Sequence, residues 1–304
     1  GFDGLDINMG CPSKSVAASG SGAALIKTPD LAYAIVRAAR QGLEDWAGGQ
    51  SIHSQGFKPS RIEFIHTLNH SRSGVPVVPR RLLPLSIKTR LGFDCVVVER
   101  WVEHLLEARP AAITLHGRTL QQMYRGAADW SAIAEAAKLA HGTGTLMLGN
   151  GDLNTLVDAI RRAAESKVQG VLVGRGTLGS PWFFREKEQA RRAFSERDDL
   201  PTLPAAAWEP QVSVSHRMQV MLDHARQYEA IAGLERFRSI RKHLGWYCKG
   251  FPHAAAMRGK MFGASNVQDV ERIVAEFCQE LMQAERDASA PTPLAAQPSS
   301  VSAA

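Results

Sequence analysis

The chain has 304 residues, a net charge of +6 and 44% hydrophobic residues, enough for one large core and a smaller satellite domain. It contains no run of about 18 apolar residues and no charged-then-apolar leader, so we expect no membrane span, no signal peptide and a cytoplasmic location. Its scattered cysteines form no CxxC pair, which argues against a zinc site and a disulfide framework. A pI near 9.3 is compatible with a polyanionic partner.

Strand-to-helix units follow one another along the first two thirds of the chain. The first runs from the apolar stretch FDGLDIN, through a Gly/Pro/Ser loop, to a helix that begins after Thr28-Pro29. The later strands are LPLSIKTR, AAITLHGRT, TLMLGNGD and QGVLVGRG. The first three are followed by helices that contain Trp101, Ile133 and Leu156, respectively, and the fourth is followed by a helix that begins at Ser180-Pro181. Five such units predict a parallel sheet with helical crossovers.

Each predicted strand carries polar or Gly-rich residues at its carboxyl end, in GCPSK, KTR, HGRT, GNGD and GRG. In α/β folds that edge binds ligands, and barrels often hold a phosphate after their last two strands. No GxGxxG follows the first strand, which argues against an open dinucleotide-binding sheet. Because the chain enters a strand directly after Gly1, we predict an N-terminally truncated (β/α)8 barrel with five of its eight units.

A proline-marked linker over residues 197–210 separates the barrel, residues 1–196, from a helical domain over residues 211–287. The helices are predicted over Gln211–Ile231, Leu234–Tyr247 and Val267–Glu285. The second interleaves cations with Phe237, Trp246 and Tyr247, a composition that suits nucleic acid but equally a solvated helix with its aromatics in the core. Residues 288–304 are of low complexity and are predicted to be disordered.

These motifs together resemble the tRNA-dihydrouridine synthases, from Gly1 to about Gly263. The resemblance is carried by DINMGCP, KTRLGF, HGRT followed by YRGAADW, GNGD, VGRGTLGSPWFF and IRKHLGWYCKGFP. It implies that uridine in tRNA is reduced at its carbon 5–carbon 6 bond, with FMN as cofactor and NADPH or NADH as reductant. It also implies that the barrel holds the flavin and that the helical domain grips the tRNA.

The resemblance makes Cys11 the general acid that protonates carbon 5 while hydride reaches carbon 6. A thiol suits this role because thiols are ordinarily still protonated at neutral pH. The alternative is a packing cysteine. The resemblance also implies the contacts to the flavin. Lys88 lies at the pyrimidine end of its ring, and His116 contacts the flavin as well. Asn150, Gly151 and Asp152 bind the ribityl chain and the phosphate, and Gly174 and Arg175 complete the phosphate site. His116 could instead be a satisfied core histidine.

On the substrate side, the resemblance implies that Asn8 orients the uracil or the flavin, unless its amide caps a tight turn. Arg90, Arg118 and Lys242 are the expected contacts to tRNA or substrate. Two hypotheses concern loops. The Gly-rich stretch after Lys14 is predicted to be mobile and to swing the thiol into place, and residues 47–81 are predicted to be a flexible basic insertion remote from the site. The histidines within residues 47–81 lack the spacing of a metal site.

Two other functions remain open. The first is an FMN-dependent barrel oxidoreductase that acts on a small molecule, as a dihydroorotate-dehydrogenase-like enzyme would. The second is a non-catalytic RNA-binding relative. We expect a monomer without a metal. The modified uridine and the choice between NADPH and NADH do not follow from the sequence.

Overall fold

The structure is a computed structural model that describes residues 2–73, 80–188, 192 and 211–289. The chain divides into two compact units. The first consists of Gly1–Thr177 and Trp182–Glu209, and the second consists of Leu178–Pro181 and Pro210–Ala304. None of the helices in the described ranges combines the length and apolar character that a membrane span needs.

A parallel sheet forms the centre of the first unit. Its strands are β1 (Leu5–Asn8), β2 (Leu85–Arg90), β3 (Ala112–His116), β4 (Leu146–Asn150) and β5 (Gly170–Leu172). The helices are α1 (Lys14–Ala18), α2 (Pro29–Ala47), α3 (Pro59–Ser73), α4 (Val98–Glu107), α5 (Trp130–Ala140) and α6 (Leu156–Ser166). Short 3-10 turns cover Gly22–Lys27, Ile52–Gln55 and Arg175–Thr177.

The five strands lie in chain order, β1-β2-β3-β4-β5, and every neighbouring pair is parallel. A doubly wound sheet reverses its strand order at a switch point, whereas strands in chain order are the arrangement found in a barrel. The predicted parallel α/β sheet is therefore confirmed. Closure of a barrel and the absence of its first units stay predictions.

The core lies between this sheet and the helices that cross over it. Ile87, Ile113, Leu115 and Met147 are fully buried on the strands, and Trp101 of α4 packs in the same cluster. Helices α2, α4, α5 and α6 contact one another in sequence. The helix starts are fixed locally, since Asp129 accepts a hydrogen bond from Ala132 N and Thr155 from Asp158 N.

Two loops predicted to be irregular contain helical structure. The stretch after Cys11 forms α1 and the turn Gly22–Lys27, most of which is buried. Within residues 47–81, the turn Ile52–Gln55 and the helix α3 account for much of the described part, while residues 74–79 lie outside it. Tertiary packing therefore overrides the Gly-rich composition of the first loop.

The helix predicted to begin at Ser180-Pro181 does not begin there. Residues 181–186 form turns, and helical structure begins only at residues 187–188. The predicted linker, residues 197–210, and most of the predicted tail lie outside the described residues.

The second unit contains α7 (Val214–Ala232), a 3-10 turn (Leu234–Ile240), α8 (Arg241–Tyr247), α9 (Ala254–Gly263) and α10 (Val267–Ser289). The predicted helix Leu234–Tyr247 is thus split in two, and α9 was not predicted. Phe237 is fully buried and Tyr247 nearly so, which places both in the core. Trp246 is half-buried and Lys242 is exposed.

Candidate active site

The carboxyl ends of the parallel strands form a pocket of about 370 Å³. The strand register brings the predicted residues to one edge, since Asn8 pairs with Lys88, Arg90 with His116, and His116 with Asn150. The pocket is lined by every predicted site residue except Arg118 and Lys242. Further lining residues are Gly10, Pro12, Tyr124, Leu153, Asn154 and Leu172.

The half-buried Cys11 lies on a loop whose backbone is held on both sides. Arg90 Nε donates to Gly10 O at 2.8 Å, and Ala23 N donates to Cys11 O at 3.2 Å. Arg90 is itself buried, and its Nη1 donates to Thr119 O. Arg90, predicted to contact tRNA or substrate, therefore lines the pocket and also holds the cysteine loop.

Gly22 packs directly against this loop. Its φ is +60°, and a Cβ there would lie 2.9 Å from Cys11 O and 3.0 Å from Cys11 Cβ. Only glycine tolerates both this backbone conformation and this approach. The turn that follows Gly22 is buried, so this part of the Gly-rich stretch packs into the core, while the predicted movement of the loop stays a prediction.

Asn8 caps the turn before Cys11. Its Oδ1 accepts a hydrogen bond from Gly10 N at 3.0 Å, which is the capping role that the sequence left as an alternative. Asn8 also lines the pocket.

Lys88 and Asn150 meet across the strand edge. Lys88 Nζ donates to Asn150 Oδ1 at 3.3 Å, and Asn150 Nδ2 donates to Leu172 O at 2.8 Å, so the amide is fixed in one orientation. Burial lowers the pKa of Lys88, and the nearby charge of Arg90 lowers it further, while Asp6 opposes both.

His116 is buried at the end of β3 beside three cations. Burial, together with the charges of Arg90, Lys88 and Arg118, lowers its pKa from 6.5 to about 3, although Asp152 opposes this change. The imidazole is therefore neutral at neutral pH. It can donate one N–H to a ligand, but it is not a reservoir of protons there.

Asp152 joins two arginines at the far side of the pocket. Arg118 Nη2 lies 2.6 Å from Asp152 Oδ2, and Arg175 Nη2 lies 3.1 Å from Oδ1. Ala128 N also donates to Oδ2. Burial raises the pKa of Asp152, but the hydrogen bonds from Arg118 and Ala128 N outweigh it and the net pKa is lowered.

This pairing changes the interpretation of Arg118 and Asp152. Arg118 is almost fully buried and does not line the pocket, so it is placed to support Asp152, whereas the sequence predicted a contact to tRNA or substrate. Asp152 lines the pocket, but its carboxylate oxygens already bind the two arginines and Ala128 N. Its position suits it to hold Arg175 more than to bind a phosphate directly.

Tyr124 was missed as a site residue, although YRGAADW carries part of the resemblance. It follows β3, lines the pocket with an exposed ring, and lies 5.3 Å from the guanidinium carbon of Arg175. An aromatic residue in a loop at the ligand-binding edge was the available signal. Lys242 is exposed on α8 of the second unit.

Within the described part of the chain, no group of three or more His, Cys, Asp or Glu side chains is placed to hold a metal ion.

Sequence comparisons identify the family. The model described as Dihydrouridine synthase (Dus) matches residues 1–45 and 72–286, so residues 47–71 of the predicted insertion are unmatched. The chain is 28% identical over 271 residues to Probable tRNA-dihydrouridine synthase 1 of Synechocystis sp., covering 88% of this chain and 61% of that protein. It is 33% identical over 269 residues to Probable tRNA-dihydrouridine synthase of Rhodobacter capsulatus, covering 88% of this chain and 66% of that protein.

A third relative is Probable tRNA-dihydrouridine synthase 2 of Bacillus subtilis, 29% identical over 280 residues that cover 91% of this chain and 68% of that protein. The chain thus spans 61% to 68% of the length of these relatives. As the motifs predicted, the chain belongs to the dihydrouridine synthase family.

Proposed function

We propose that this chain carries the active site of a tRNA-dihydrouridine synthase, which reduces the carbon 5–carbon 6 bond of uridine in tRNA. The observation that carries the proposal is the pocket that collects Cys11, Lys88, His116, Asn150 and Arg175 at the carboxyl edge of the sheet. Membership of the family supplies the substrate class.

The residues around the pocket fit FMN. Lys88 and Arg175 offer positive charge, neutral His116 and the oriented Asn150 offer hydrogen bonds, and a Cβ on Gly174 would meet no atom within 4 Å, so backbone can approach a ligand there. FMN bound here would supply the hydride for carbon 6 after reduction by NADPH or NADH.

Arg175 is the proposed phosphate residue. A carboxylate beside a phosphate would repel it, but Asp152 is bound by two guanidinium groups, so the cluster of Arg118, Arg175 and Asp152 keeps a net positive charge. Asp152 binds the guanidinium of Arg175, and the ring of Tyr124 lies 5.3 Å from its central carbon. An arginine held in this way loses little further freedom on binding an anion.

Cys11 is the proposed proton donor. Hydride addition at carbon 6 leaves negative charge on carbon 5 and the adjoining carbonyl, and the Sγ proton of Cys11 would move to carbon 5 and leave a thiolate for solvent to reprotonate. His116 does not compete for this role at neutral pH, because with a pKa of about 3 it is a neutral imidazole there, and its remaining N–H is a very weak acid. Its N–H and the Lys88 cation stabilise negative charge instead.

The second unit is the proposed tRNA-binding domain. Its exposed Lys242 is suited to a phosphate contact, whereas Phe237 and Tyr247 are buried and unavailable for stacking on bases. In the first unit, the exposed ring of Tyr124 at the pocket is suited to stack on the uracil.

The dihydrouridine content of tRNA tests the proposal. The full-length protein containing this chain is expressed in a synthase-deficient strain beside its Cys11→Ser variant, and nucleosides are quantified by mass spectrometry. We expect dihydrouridine to return with the unchanged protein and to be largely lost with Cys11→Ser, since a hydroxyl is a far weaker acid than a thiol. A folded, yellow protein that restores none would contradict the tRNA assignment and favour a small-molecule flavin oxidoreductase.

A further inference from the structure

Three consecutive backbone carbonyls around Cys11 each accept a hydrogen bond. Thr89 Oγ1 donates to Met9 O at 3.0 Å, Arg90 Nε donates to Gly10 O at 2.8 Å, and Ala23 N donates to Cys11 O at 3.2 Å. Thr89 and Arg90 are buried, so little water competes for these bonds. The path of the backbone into Cys11 is therefore set largely from the neighbouring strand β2.

Thr89 and Arg90 act from opposite faces of β2. Successive side chains alternate along a strand, so Lys88 and Arg90 line the pocket while Thr89 lies on the other face, fully buried beside Trp101. A variant of Arg90 would change the pocket lining as well as the loop. A variant of Thr89 changes only the support behind the loop.

The direction of the hydrogen bonds at Thr89 follows from chemistry. Trp101 Nε1 lies 3.1 Å from Thr89 Oγ1, and an indole N–H can only donate. The threonine oxygen accepts this bond, and its own hydrogen is directed to Met9 O. The relay Trp101–Thr89–Met9 thus has one orientation, two residues ahead of the thiol.

We propose that Thr89, oriented by Trp101, is a positioning residue for the Cys11 thiol. This inference rests on the proposed function of Cys11 as proton donor. A displacement of about 1 Å at a reacting group can cost on the order of 100-fold in rate. Thr89 is fully buried and does not line the pocket, so the contact through which it would act on the thiol is its hydrogen bond to Met9 O.

The test compares Thr89→Val with Thr89→Ser and Thr145→Val in the full-length, FMN-loaded protein. Valine keeps the shape of threonine and removes the hydroxyl, while serine restores it. Thr145 is the matched control, since its buried hydroxyl donates to Pro110 O at 2.8 Å beside the amino end of β4, at the other edge of the sheet. Single-turnover dihydrouridine formation, tRNA affinity and the midpoint of urea unfolding are measured for each.

We expect Thr89→Val to lower the single-turnover rate about 10- to 100-fold with unchanged tRNA affinity. Thr89→Ser and Thr145→Val should keep single-turnover rates close to that of the unchanged protein. The midpoint of urea unfolding should nevertheless fall by a similar amount in Thr145→Val and in Thr89→Val. Equal rates for Thr89→Val and Thr145→Val would overturn the proposal. If Thr89→Val fails to fold, Trp101→Phe removes the orienting donor and keeps an aromatic ring, and an unchanged rate there would overturn it equally.

A second readout separates this inference from the proposed function. If the unchanged protein forms no dihydrouridine, the proposed function fails, and the rate of Cys11 alkylation by iodoacetamide, quantified at its own peptide, tests the positioning alone. A changed alkylation rate in Thr89→Val and an unchanged one in Thr145→Val would support positioning by Thr89. The same rate in both variants would overturn it.

Discussion

The two sides of the pocket are held by different forces. On the Cys11 side, backbone carbonyls accept hydrogen bonds from Thr89, Arg90 and Ala23. On the other side, one carboxylate, Asp152, holds Arg118 and Arg175. The first arrangement fixes the position of a reacting atom, and the second fixes a positive charge. We therefore expect changes on the two sides to alter different measurements.

Removal of Arg175 should have the largest effect on the charged side. Arg175→Ala is expected to weaken FMN binding about 10- to 100-fold, because a charge-assisted contact to the phosphate is lost. Titration of the FMN-free protein with FMN measures this loss of affinity. Arg161→Ala is the matched control, since Arg161 pairs with Asp158 on α6 and does not line the pocket. Equal affinities in the two variants would remove Arg175 from the phosphate site.

Asp152→Asn should lower the free energy of unfolding by about 1–3 kcal/mol, because buried Arg118 loses its anionic partner. The pKa of Asp152 is lowered from 3.8, so its contribution is present above that pH and is lost as the pH falls through the folded-state pKa. Urea unfolding at pH 7 and pH 3 measures the loss of unfolding free energy and its dependence on pH. If the variant and the unchanged protein differ in unfolding free energy as much at pH 3 as at pH 7, this account is contradicted.

The effect of His116 should lie at a higher pH than that of Asp152. Its pKa falls from 6.5 to about 3, so between these values the unfolded chain binds a proton that the folded protein does not, and stability decreases on acidification. His116→Asn should flatten the decrease in unfolding free energy between pH 6.5 and about pH 4. His141, exposed at the end of α5, provides the control His141→Asn. An unchanged slope in His116→Asn would show that the histidine is not held neutral.

Much of the pocket could be predicted because parallel strands end at one edge. Lys88, His116 and Asn150 were each placed by their position at a strand end, and the register brings them together. The partners of these residues could not be predicted in the same way. Arg118 follows His116 by two residues in HGRT, yet it is buried behind the pocket because Asp152, 34 residues later, binds it there.

Local composition also misled the prediction of the loops. The Gly-rich stretch after Lys14 was predicted to be a loop, but it contains α1 and a 3-10 turn, and the positive φ of Gly22 lets the chain pack against Cys11, a contact with no local sequence signal. Helix α9 contains Gly259 and Gly263, and its residues carry no apolar periodicity that would identify a helix. These elements depend on packing between residues that lie apart in the chain.

The most direct test of the central claim is flavin reoxidation in a single turnover. The full-length protein is loaded with FMN, reduced, and mixed with unmodified tRNA, for the unchanged protein and for Cys11→Ser. We predict that the variant binds FMN and tRNA normally but reoxidises about 10²- to 10⁴-fold more slowly, the usual contribution of a general acid. Equal rates in the two proteins would contradict the role of Cys11 and move the proton donor elsewhere in the pocket.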